Sequence, residues 1–491
     1  MNLIYCVLWC CIWFGASADK GSFMKLVGVG KPNSPAMARS MVIETKWFKQ
    51  KVDHFNPADI RTWKQRYQMN LKYYKHGGPI FLNIGGEEEI THDWMTSGAW
   101  IEYAQKCNAM CFQLEHRYFG RSHPTDNLNT SNLMYLTIEQ ALADLGTFIN
   151  TISNDNKQFL LNAKWVVFGG SYSGSLAAWL RMKYPQLVHA AVSSSSPLMA
   201  KVDYKDYYMA IQNTLLNYNP KCVSSIKEAT LTITDLLKTD NGAKYVDEKF
   251  STCNHISITN KKDKTLLFNN LAVPIALIVQ YNNDNKYVEK SSLSLVTLCD
   301  MMLDKLLGSP LERYAAVHKQ LRSVNNQKCT SNTYQHAISA LKKTSWNSEN
   351  VKLGSRQWLY LICTEIGNFI TSNNHKHLFG NTIPLDYYTG MCSDVFGKSF
   401  NTKALHIAVK KINMFYHDLK KKTSRIIYLH GSIDAWSSLG LIQPQTKDSV
   451  SIVIKGGAHC SDLYPSHSSD PPQLTKARKT VAFYLKKWLL E

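Results

Sequence analysis

The stretch Lys164-Trp-Val-Val-Phe-Gly-Gly-Ser-Tyr-Ser-Gly-Ser-Leu-Ala-Ala-Trp179 decides the fold of this chain. Its four apolar residues, Trp165 to Phe168, predict a buried strand, and Gly169 and Gly170 permit a sharp turn after it. The apolar spacing that follows Ser171 predicts a helix. A serine at the apex of a strand–turn–helix is typical of a nucleophile elbow, which exposes a reactive serine oxygen at the end of a strand.

The elbow differs from the strict pattern G-x-S-x-G at one position. Ser173 stands where the pattern has its second glycine, and Gly174 follows it. Serine is small, so we interpret the run as a tolerated variant. The same residues could also form a glycine- and serine-rich turn without chemistry. Only the first interpretation requires two further residues, because a reactive serine needs a base and the base needs an orienting acid.

Two segments near the C-terminus supply these partners in the order Ser, Asp, His that accompanies this elbow. An apolar strand over 426–429 leads into a turn that carries Asp434, and a second strand from Val450 ends in a glycine turn that carries His459. Open parallel sheets place their sites at the carboxyl ends of such strands. The 25 residues from the aspartate to the histidine leave room for one helix between two neighbouring strands. His467 lies in a polar loop and is the weaker candidate.

Residues 1–18 are typical of a secretory signal peptide. They have no charged side chain, contain an apolar stretch over 3–14 and end in Ala-Ser-Ala, which predicts cleavage after Ala18. No later apolar run approaches the roughly 18 residues that cross a membrane, and the chain does not end in a KDEL-type signal. We therefore expect no membrane span and a location in the secretory pathway, either extracellular or lysosomal.

The cysteines agree with an oxidising compartment. Nine of the twelve remain after residue 18: Cys107, Cys111, Cys222, Cys253, Cys299, Cys329, Cys363, Cys392 and Cys460. We expect most of them to form disulfides, and an odd number leaves at least one free, for which Cys460 is a candidate. The pairing stays open. No CxxC or HxxxH spacing accompanies them, so no metal site is predicted. Asn129, in a polar loop, is the predicted glycosylation site.

The formal net charge is +19, with an isoelectric point near 9.2. The basic residues are scattered in short clusters, and no recognised nucleic-acid module is present. We interpret the charge as a solvated face with weak attraction for polyanions, and we expect no nucleic-acid partner. The sequence leaves a homodimer open.

The pattern along the chain predicts an interrupted α/β domain. A leader over 19–44 precedes alternating strands and helices over 45–200, which predict a parallel sheet. The part over 201–420 is mostly helical and carries most of the cysteines, and the α/β pattern resumes over 421–491. About 200 residues are too many for a loop. An insertion between the serine and the aspartate is expected to cover the site as a cap.

These motifs carry a family resemblance over about residues 45–491. The matching pieces besides the elbow and the Asp434 turn are Phe48–Phe55, Gln65–Tyr67, Ile84–Glu87, Glu115–Gly120, Glu139–Asp144, Cys363–Glu365 and Gly457–Asp462. Together they resemble the prolyl-carboxypeptidase family of serine exopeptidases, which also contains a lysosomal dipeptidyl peptidase and the thymus-specific serine protease. The elbow helix and the glycine run before Glu87 are most similar to the thymus-specific branch. Ser173, and Ala435 where relatives often have proline, depart from the family pattern.

The resemblance implies an α/β-hydrolase core with an inserted, mostly helical, disulfide-bearing cap. It also implies peptide hydrolysis through an acyl-enzyme, without a cofactor. Ser171 would attack, His459 would act as base, and Asp434 would orient the histidine. Cleavage after proline is expected, with Trp436 as a wall of the proline pocket.

The backbone N–H groups of Tyr172 and Gly86 are the expected oxyanion-hole donors. The direction of attack stays open. A dipeptidyl peptidase must bind a substrate ammonium, and a carboxypeptidase must bind a terminal carboxylate. The candidates are Glu87, Glu88 or Glu89 for the ammonium, and Arg117, Arg121 or His459 for the carboxylate. An esterase or lipase with the same three residues, and a catalytically silent binding protein on this fold, are the alternative functions.

Overall fold

A computed structural model describes residues 31–32, 43–156, 160, 162–283, 293–373, 377–417, 423–443, 446 and 448–491. The predicted signal peptide and most of the predicted leader lie outside these residues. Among the helices of the described residues, none is long and apolar enough to cross a membrane.

The strands form one large sheet and one small one. They are β1 (Glu44–Lys51), β2 (Thr62–Asn70), β3 (Ile80–Ile84), β4 (Met110–Leu114), β5 (Trp165–Gly170), β6 (Ala190–Ser194), β7 (Lys201–Asp203), β8 (Gly367–Phe369), β9 (Ile426–Gly431) and β10 (Val450–Ile454). The eight-stranded sheet has the order β1-β2-β4-β3-β5-β6-β9-β10, and β7 pairs with β8. The pairs β1–β2 and β2–β4 are antiparallel, whereas all other neighbours are parallel.

Helices cover both faces of the sheet and fill the long connection between β6 and β9. They are α1 (His92–Thr96), α2 (Ala99–Cys107), α3 (Ile138–Asp155), α4 (Tyr172–Lys183), α5 (Asp206–Tyr218), α6 (Pro220–Leu236), α7 (Asp240–Phe250), α8 (Lys261–Gln280), α9 (Leu295–Leu303), α10 (Pro310–Val324), α11 (Tyr334–Leu341), α12 (Glu349–Lys352), α13 (Ser355–Leu361), α14 (Leu385–Phe396), α15 (Thr402–His417) and α16 (Pro472–Leu490). Short 3₁₀ helices cover Leu133–Tyr135, Lys305–Leu307, Ser437–Leu439 and Ser461–Leu463, and a π-helix covers Ile362–Ile366.

The central strand β5 shows why an apolar run of this kind becomes a buried strand. Successive side chains of a strand point to opposite faces. Trp165 and Val167 therefore join the hydrophobic cluster that contains residues of α3 and α4, whereas Val166 and Phe168 join the cluster that contains residues of α2 and α16. Both faces of the sheet are covered by helices, as expected for parallel strands.

The parallel order brings the three predicted site residues to one edge of the sheet. Ser171 follows β5 directly, Asp434 lies just after β9, and His459 lies just after β10. Strand β6 pairs with β5 on one side and with β9 on the other, and β9 pairs with β10. The carboxyl ends of these strands therefore converge, which confirms the predicted parallel sheet.

The span between the aspartate and the histidine has room for a helix, but its described residues form no α-helix. Of the residues described between β9 and β10, only Ser437–Leu439 are helical, in a single 3₁₀ turn. Just after this turn, Gly440 lies against His430, where an added Cβ would come 2.0 Å from the imidazole. Leu439 is buried by the same turn.

The connection between β6 and β9 contains helices α5 to α15, and we call its part over residues 201–417 the inserted segment. Three disulfides lie within it: Cys222–Cys299, Cys253–Cys329 and Cys363–Cys392. They tie together distant parts of the segment and restrict its unfolded states. In the described part of the chain, Cys107, Cys111 and Cys460 are free. The prediction that most of the cysteines pair is confirmed.

Candidate active site

The turn after β5 holds Ser171 in a strained conformation. Its φ of 57° and ψ of −127° lie outside the regions that non-glycine residues favour. A Cβ at Gly169 would lie 2.2 Å from the carbonyl oxygen of Ser173, and a Cβ at Gly174 would lie 2.8 Å from that of Ser194. The turn can therefore form only with glycine at these two positions, as expected for a nucleophile elbow.

Ser173, the departure from the strict elbow pattern, is used by the turn. Its hydroxyl donates to the carbonyl oxygen of Gly170 at 2.8 Å and accepts from the N–H of Gly170 at 3.1 Å. The additional oxygen atom is therefore satisfied inside the elbow. This explains why serine is tolerated where glycine is usual.

Asp434 and His459 form a fully buried pair. Nδ1 of His459 donates to Oδ1 of Asp434 at 2.9 Å, and the same oxygen accepts the backbone N–H of Trp436 at 2.9 Å. The carboxylate thus fixes the orientation of the imidazole and its tautomer. The alternative base, His467, is exposed and hydrogen-bonds to Ser469.

The charges of this pair stabilise each other. Burial by itself lowers the pKa of His459, but the negative charge of Asp434 and the contact with Cys460 raise it well above its usual value. Burial raises the pKa of Asp434, but His459 and the N–H of Trp436 more than compensate and leave it lowered. The site therefore favours an imidazolium–carboxylate pair, as base catalysis requires after proton uptake.

Like Oδ2 of Asp434, two further polar atoms of the three predicted catalytic residues have no hydrogen-bond partner among the described residues: Oγ of Ser171 and Nε2 of His459. Both atoms are buried. Unsatisfied buried atoms are rare in folded proteins and need a reason. Catalytic hydrogen bonds are often long before substrate binds, so the serine and the histidine have the free atoms that a nucleophile and a base require.

The predicted oxyanion donors lie at the elbow. Tyr172 is the first residue of α4, where backbone N–H groups have no acceptor within the helix. Gly86 faces the elbow, because an added Cβ there would lie 3.5 Å from the Cβ of Ser173. The neighbouring Gly85 uses its own N–H in a bond to the carbonyl oxygen of Leu114.

A mostly apolar pocket opens at Ser171. Its lining residues come from the elbow and its helix, from the loop after β6, from the inserted segment and from the loop after β9: Ser171, Tyr172, Ser175, Trp179, Pro197, Asn269, Trp358, Ile362, Ile366, Asn368, Phe369, Ile370, Tyr388 and Trp436. Trp436 lies in the wall of this pocket.

The charged candidates for substrate ends differ in what they contact. Arg117 is fully buried and binds Asp144 through two hydrogen bonds of 2.7 Å, so it serves the fold. Arg121 forms an ion pair with Glu89 at 3.1 Å.

Of the remaining glutamates in this turn, Glu88 is exposed. Glu87 is buried and lines a second pocket together with Gly86 and Ser173.

Sequence reasoning did not single out Gln280 and Tyr281, which reach the site from α8. The carbonyl oxygen of Gln280 accepts the N–H of His459 at 2.9 Å, and the ring of Tyr281 meets the imidazole edge-on with centroids 5.9 Å apart. One signal was present in the sequence: Gln280 ends the apolar run Leu271–Val279.

The strand order, the elbow after β5 and the Asp–His pair at the ends of β9 and β10 define an α/β-hydrolase fold. The chain belongs to the serine carboxypeptidase S28 family, whose model matches residues 50–481. It is therefore a serine-type peptidase, and the resemblance inferred from the sequence is confirmed.

Similar proteins span nearly the whole chain. The thymus-specific serine protease of Mus musculus is 32% identical over 458 residues, covering 90% of this chain and 87% of that protein. The corresponding protein of Homo sapiens is 29% identical over 458 residues, covering 90% and 86%. The lysosomal Pro-X carboxypeptidase of Mus musculus is 28% identical over 491 residues, covering 93% and 91%.

Proposed function

We propose that this protein is an exopeptidase that cleaves peptide bonds after proline through Ser171, His459 and Asp434. The observation that carries the proposal is the apolar pocket that opens at Ser171, beside the buried Asp–His pair. The S28 family membership supports the class of reaction.

The chemistry follows from the three roles. Oγ of Ser171 attacks the scissile carbonyl carbon while Nε2 of His459 takes the hydroxyl proton, and Asp434 stabilises the imidazolium. The imidazolium then gives its proton to the leaving amine as the C–N bond breaks, which leaves an acyl-enzyme. Water, deprotonated by the same histidine, attacks the ester and releases the acid and the serine. The N–H groups of Tyr172 and Gly86 hold the oxyanion at both steps.

Proline specificity rests on the character of the pocket. A proline side chain is a compact apolar ring, and its tertiary amide has no N–H that needs an acceptor. The pocket offers aromatic and aliphatic walls, among them Trp436 and Phe369, and its lining contains no charged residue. Its two polar amides are engaged: Oδ1 of Asn269 accepts the hydroxyl of Tyr388 at 3.0 Å, and Oδ1 of Asn368 accepts the backbone N–H of Lys201 at 2.8 Å.

Hydrolysis of a free X-Pro-reporter peptide tests this proposal. Wild type is expected to release the reporter, and Ser171→Ala is expected to release none. The control Ser224→Ala changes an exposed serine on α6 and should behave as wild type. Turnover of esters but not of proline peptides would favour the esterase alternative, and no turnover of either would favour a silent binding protein.

We further propose that the enzyme attacks from the amino terminus, with Glu87 binding the substrate ammonium. Arg117 and Arg121 are engaged by carboxylates of the protein, which argues against a site for a terminal carboxylate. Burial is the largest cause that raises the pKa of Tyr172, followed by the charges of Glu365 and Glu87. The contribution of Glu87 agrees with a position close to the elbow. The dipeptidyl direction is the activity that fits these charges.

Paired substrates test the direction. Glu87→Gln should raise KM for a free X-Pro-reporter about 10- to 100-fold, the range expected for losing a charged partner, and should leave an acetylated analogue unchanged. Glu88→Gln is the matched control. Preferred cleavage of blocked-X-Pro-Phe would instead assign the carboxypeptidase direction.

A secretory or lysosomal location is part of the proposal. It is supported by the three disulfides and by the lysosomal location in the name of one relative. Sequencing of the secreted protein should find a mature chain that starts at Asp19. A glycan is expected on Asn129, which is exposed.

A further inference from the structure

The C-terminal end of α8, in the inserted segment, contacts both loops that carry the Asp–His pair. The carbonyl oxygen of Gln280 accepts the backbone N–H of His459 at 2.9 Å. Its side-chain Oε1 accepts Nε1–H of Trp436 at 3.0 Å and the hydroxyl of Tyr207 at 2.7 Å. One residue therefore holds the histidine loop through its backbone and the aspartate loop through its side chain.

The environment of Gln280 makes these bonds costly to lose. The residue is completely buried at the end of a helix whose last turns are apolar. A buried amide without partners is destabilising, so the position of the Gln280 side chain depends on its partners. Its carbonyl oxygen lies in the last turn of the helix, where carbonyl oxygens find no N–H donor within the helix and accept hydrogen bonds from other segments.

Trp436 connects Gln280 to Asp434 and to the pocket at Ser171. Its backbone N–H donates to Oδ1 of Asp434, the oxygen that receives Nδ1–H of His459. Its ring lines the pocket at Ser171. A shift of this indole would therefore change the substrate wall and the orientation of the acid together.

We infer that Gln280 is a positioning residue that couples the seating of the inserted segment to the geometry of the Asp434–His459 pair. The inference rests on the proposed roles of these two residues. In this role α8 contributes to catalysis without touching the substrate. When α8 packs in the observed position, it holds His459 and the pocket wall at Trp436 in place.

Tyr207 and Tyr208 provide a matched pair of variants. Tyr207→Phe removes one donor to Oε1 of Gln280 and keeps the buried ring. Tyr208→Phe is the control, because the hydroxyl of this equally buried neighbour has no hydrogen-bond partner in the part of the chain that the structure describes. Gln280→Met removes the acceptor altogether at similar size, and Gln280→Glu restores an acceptor.

Two readouts separate the inference from the proposed function. The first is the rate at which a fluorophosphonate labels Ser171, which requires a working serine and base but no proline specificity. The second is kcat and KM for a free X-Pro-reporter. Thermal unfolding of each variant reports the fold.

Tyr207→Phe is expected to slow labelling and to lower kcat about three- to tenfold, while Tyr208→Phe changes neither. Gln280→Met should lower both about 10- to 100-fold, as expected when a catalytic group is misplaced, and Gln280→Glu should recover most of the loss. Equal labelling rates in Tyr207→Phe and Tyr208→Phe would overturn the inference alone. A wild type that is never labelled would overturn the proposed function and the inference with it.

Discussion

Nδ1 of His459 donates a hydrogen bond of 2.9 Å to Oδ1 of Asp434, and neither side chain has measurable contact with solvent. Removing two ionisable groups from water is costly unless each compensates the other. The raised pKa of the histidine and the lowered pKa of the aspartate, both opposed by burial, express this compensation. Each of the two groups therefore favours the charged form of the other.

The pH dependence of peptide hydrolysis should follow from this pair. A base must be neutral to accept a proton, so kcat/KM is expected to rise with pH through the pKa of His459, which lies above 6.5 in the free enzyme. Asp434→Asn removes the charge that raises this pKa, so the acid limb should move to lower pH while kcat falls about 10⁴-fold. Asp235→Asn, on an exposed ion pair of α6, is the control. An unmoved acid limb would contradict the assignment.

Glu365 should make stability depend on pH in the opposite sense to an ordinary carboxylate. Burial raises its pKa to about 8, against a usual value of 4.5. The folded chain therefore binds a proton that the unfolded chain releases between these values, and its free energy of unfolding falls as pH rises from about 4.5 to 8. Glu365→Gln keeps an acceptor for the N–H of Ile138, which the glutamate binds at 2.6 Å.

Denaturant unfolding at two pH values tests this sign. Glu365→Gln and wild type should be similarly stable at pH 4.5, and the variant should be more stable by about 2–4 kcal/mol at pH 8. Glu248→Gln, an exposed change on α7, should show no such trend. A constant difference across the range would show that the carboxyl of Glu365 titrates normally.

Gly169→Ala is expected to disable the elbow. The new methyl group would meet the carbonyl oxygen of Ser173 at 2.2 Å, a backbone atom that cannot move without opening the turn. We expect a loss of about 1–3 kcal/mol in stability and loss of fluorophosphonate labelling. Gly390→Ala in α14 is the control, since nothing lies within 4 Å of its added methyl, and it should be neutral or stabilising. Normal labelling of Gly169→Ala would argue against a strained elbow.

The number of free thiols tests the disulfide pairing independently of enzymatic activity. With the signal peptide removed, the folded chain should contain three disulfides and the free cysteines Cys107, Cys111 and Cys460. A chromogenic disulfide reagent should react with at most Cys107 in the folded protein, because the other two thiols are buried. Three equivalents should react after unfolding without reductant. A single equivalent would mean that two of these cysteines are joined.

The sequence predicted those parts of the fold that have a strong local signal. Strands β5, β9 and β10 are short apolar runs that end at glycine or turn residues, and all three were predicted. Strand β1 was missed because it lies at the edge of the sheet, where most of its side chains are exposed. Strand β6 was missed because its small residues, Ala190 to Ser194, are buried by position rather than by size.

The site residues also divide into those with a local sequence signal and those without one. Ser171, Asp434 and His459 were found because each follows a strand in a known order. Gln280 could not be found in this way, because its role depends on contacts with residues more than 70 positions away in sequence. The disulfide pairing was equally inaccessible, since six cysteines have no local preference for their partners.

Mass spectrometry of the products formed from a mixture of unmodified peptides tests the proposed exopeptidase activity and its direction. Wild type is expected to release X-Pro dipeptides from free amino termini, and Ser171→Ala is expected to release none. Cleavage unrelated to proline, or the same products from Ser171→Ala, would contradict the proposed activity.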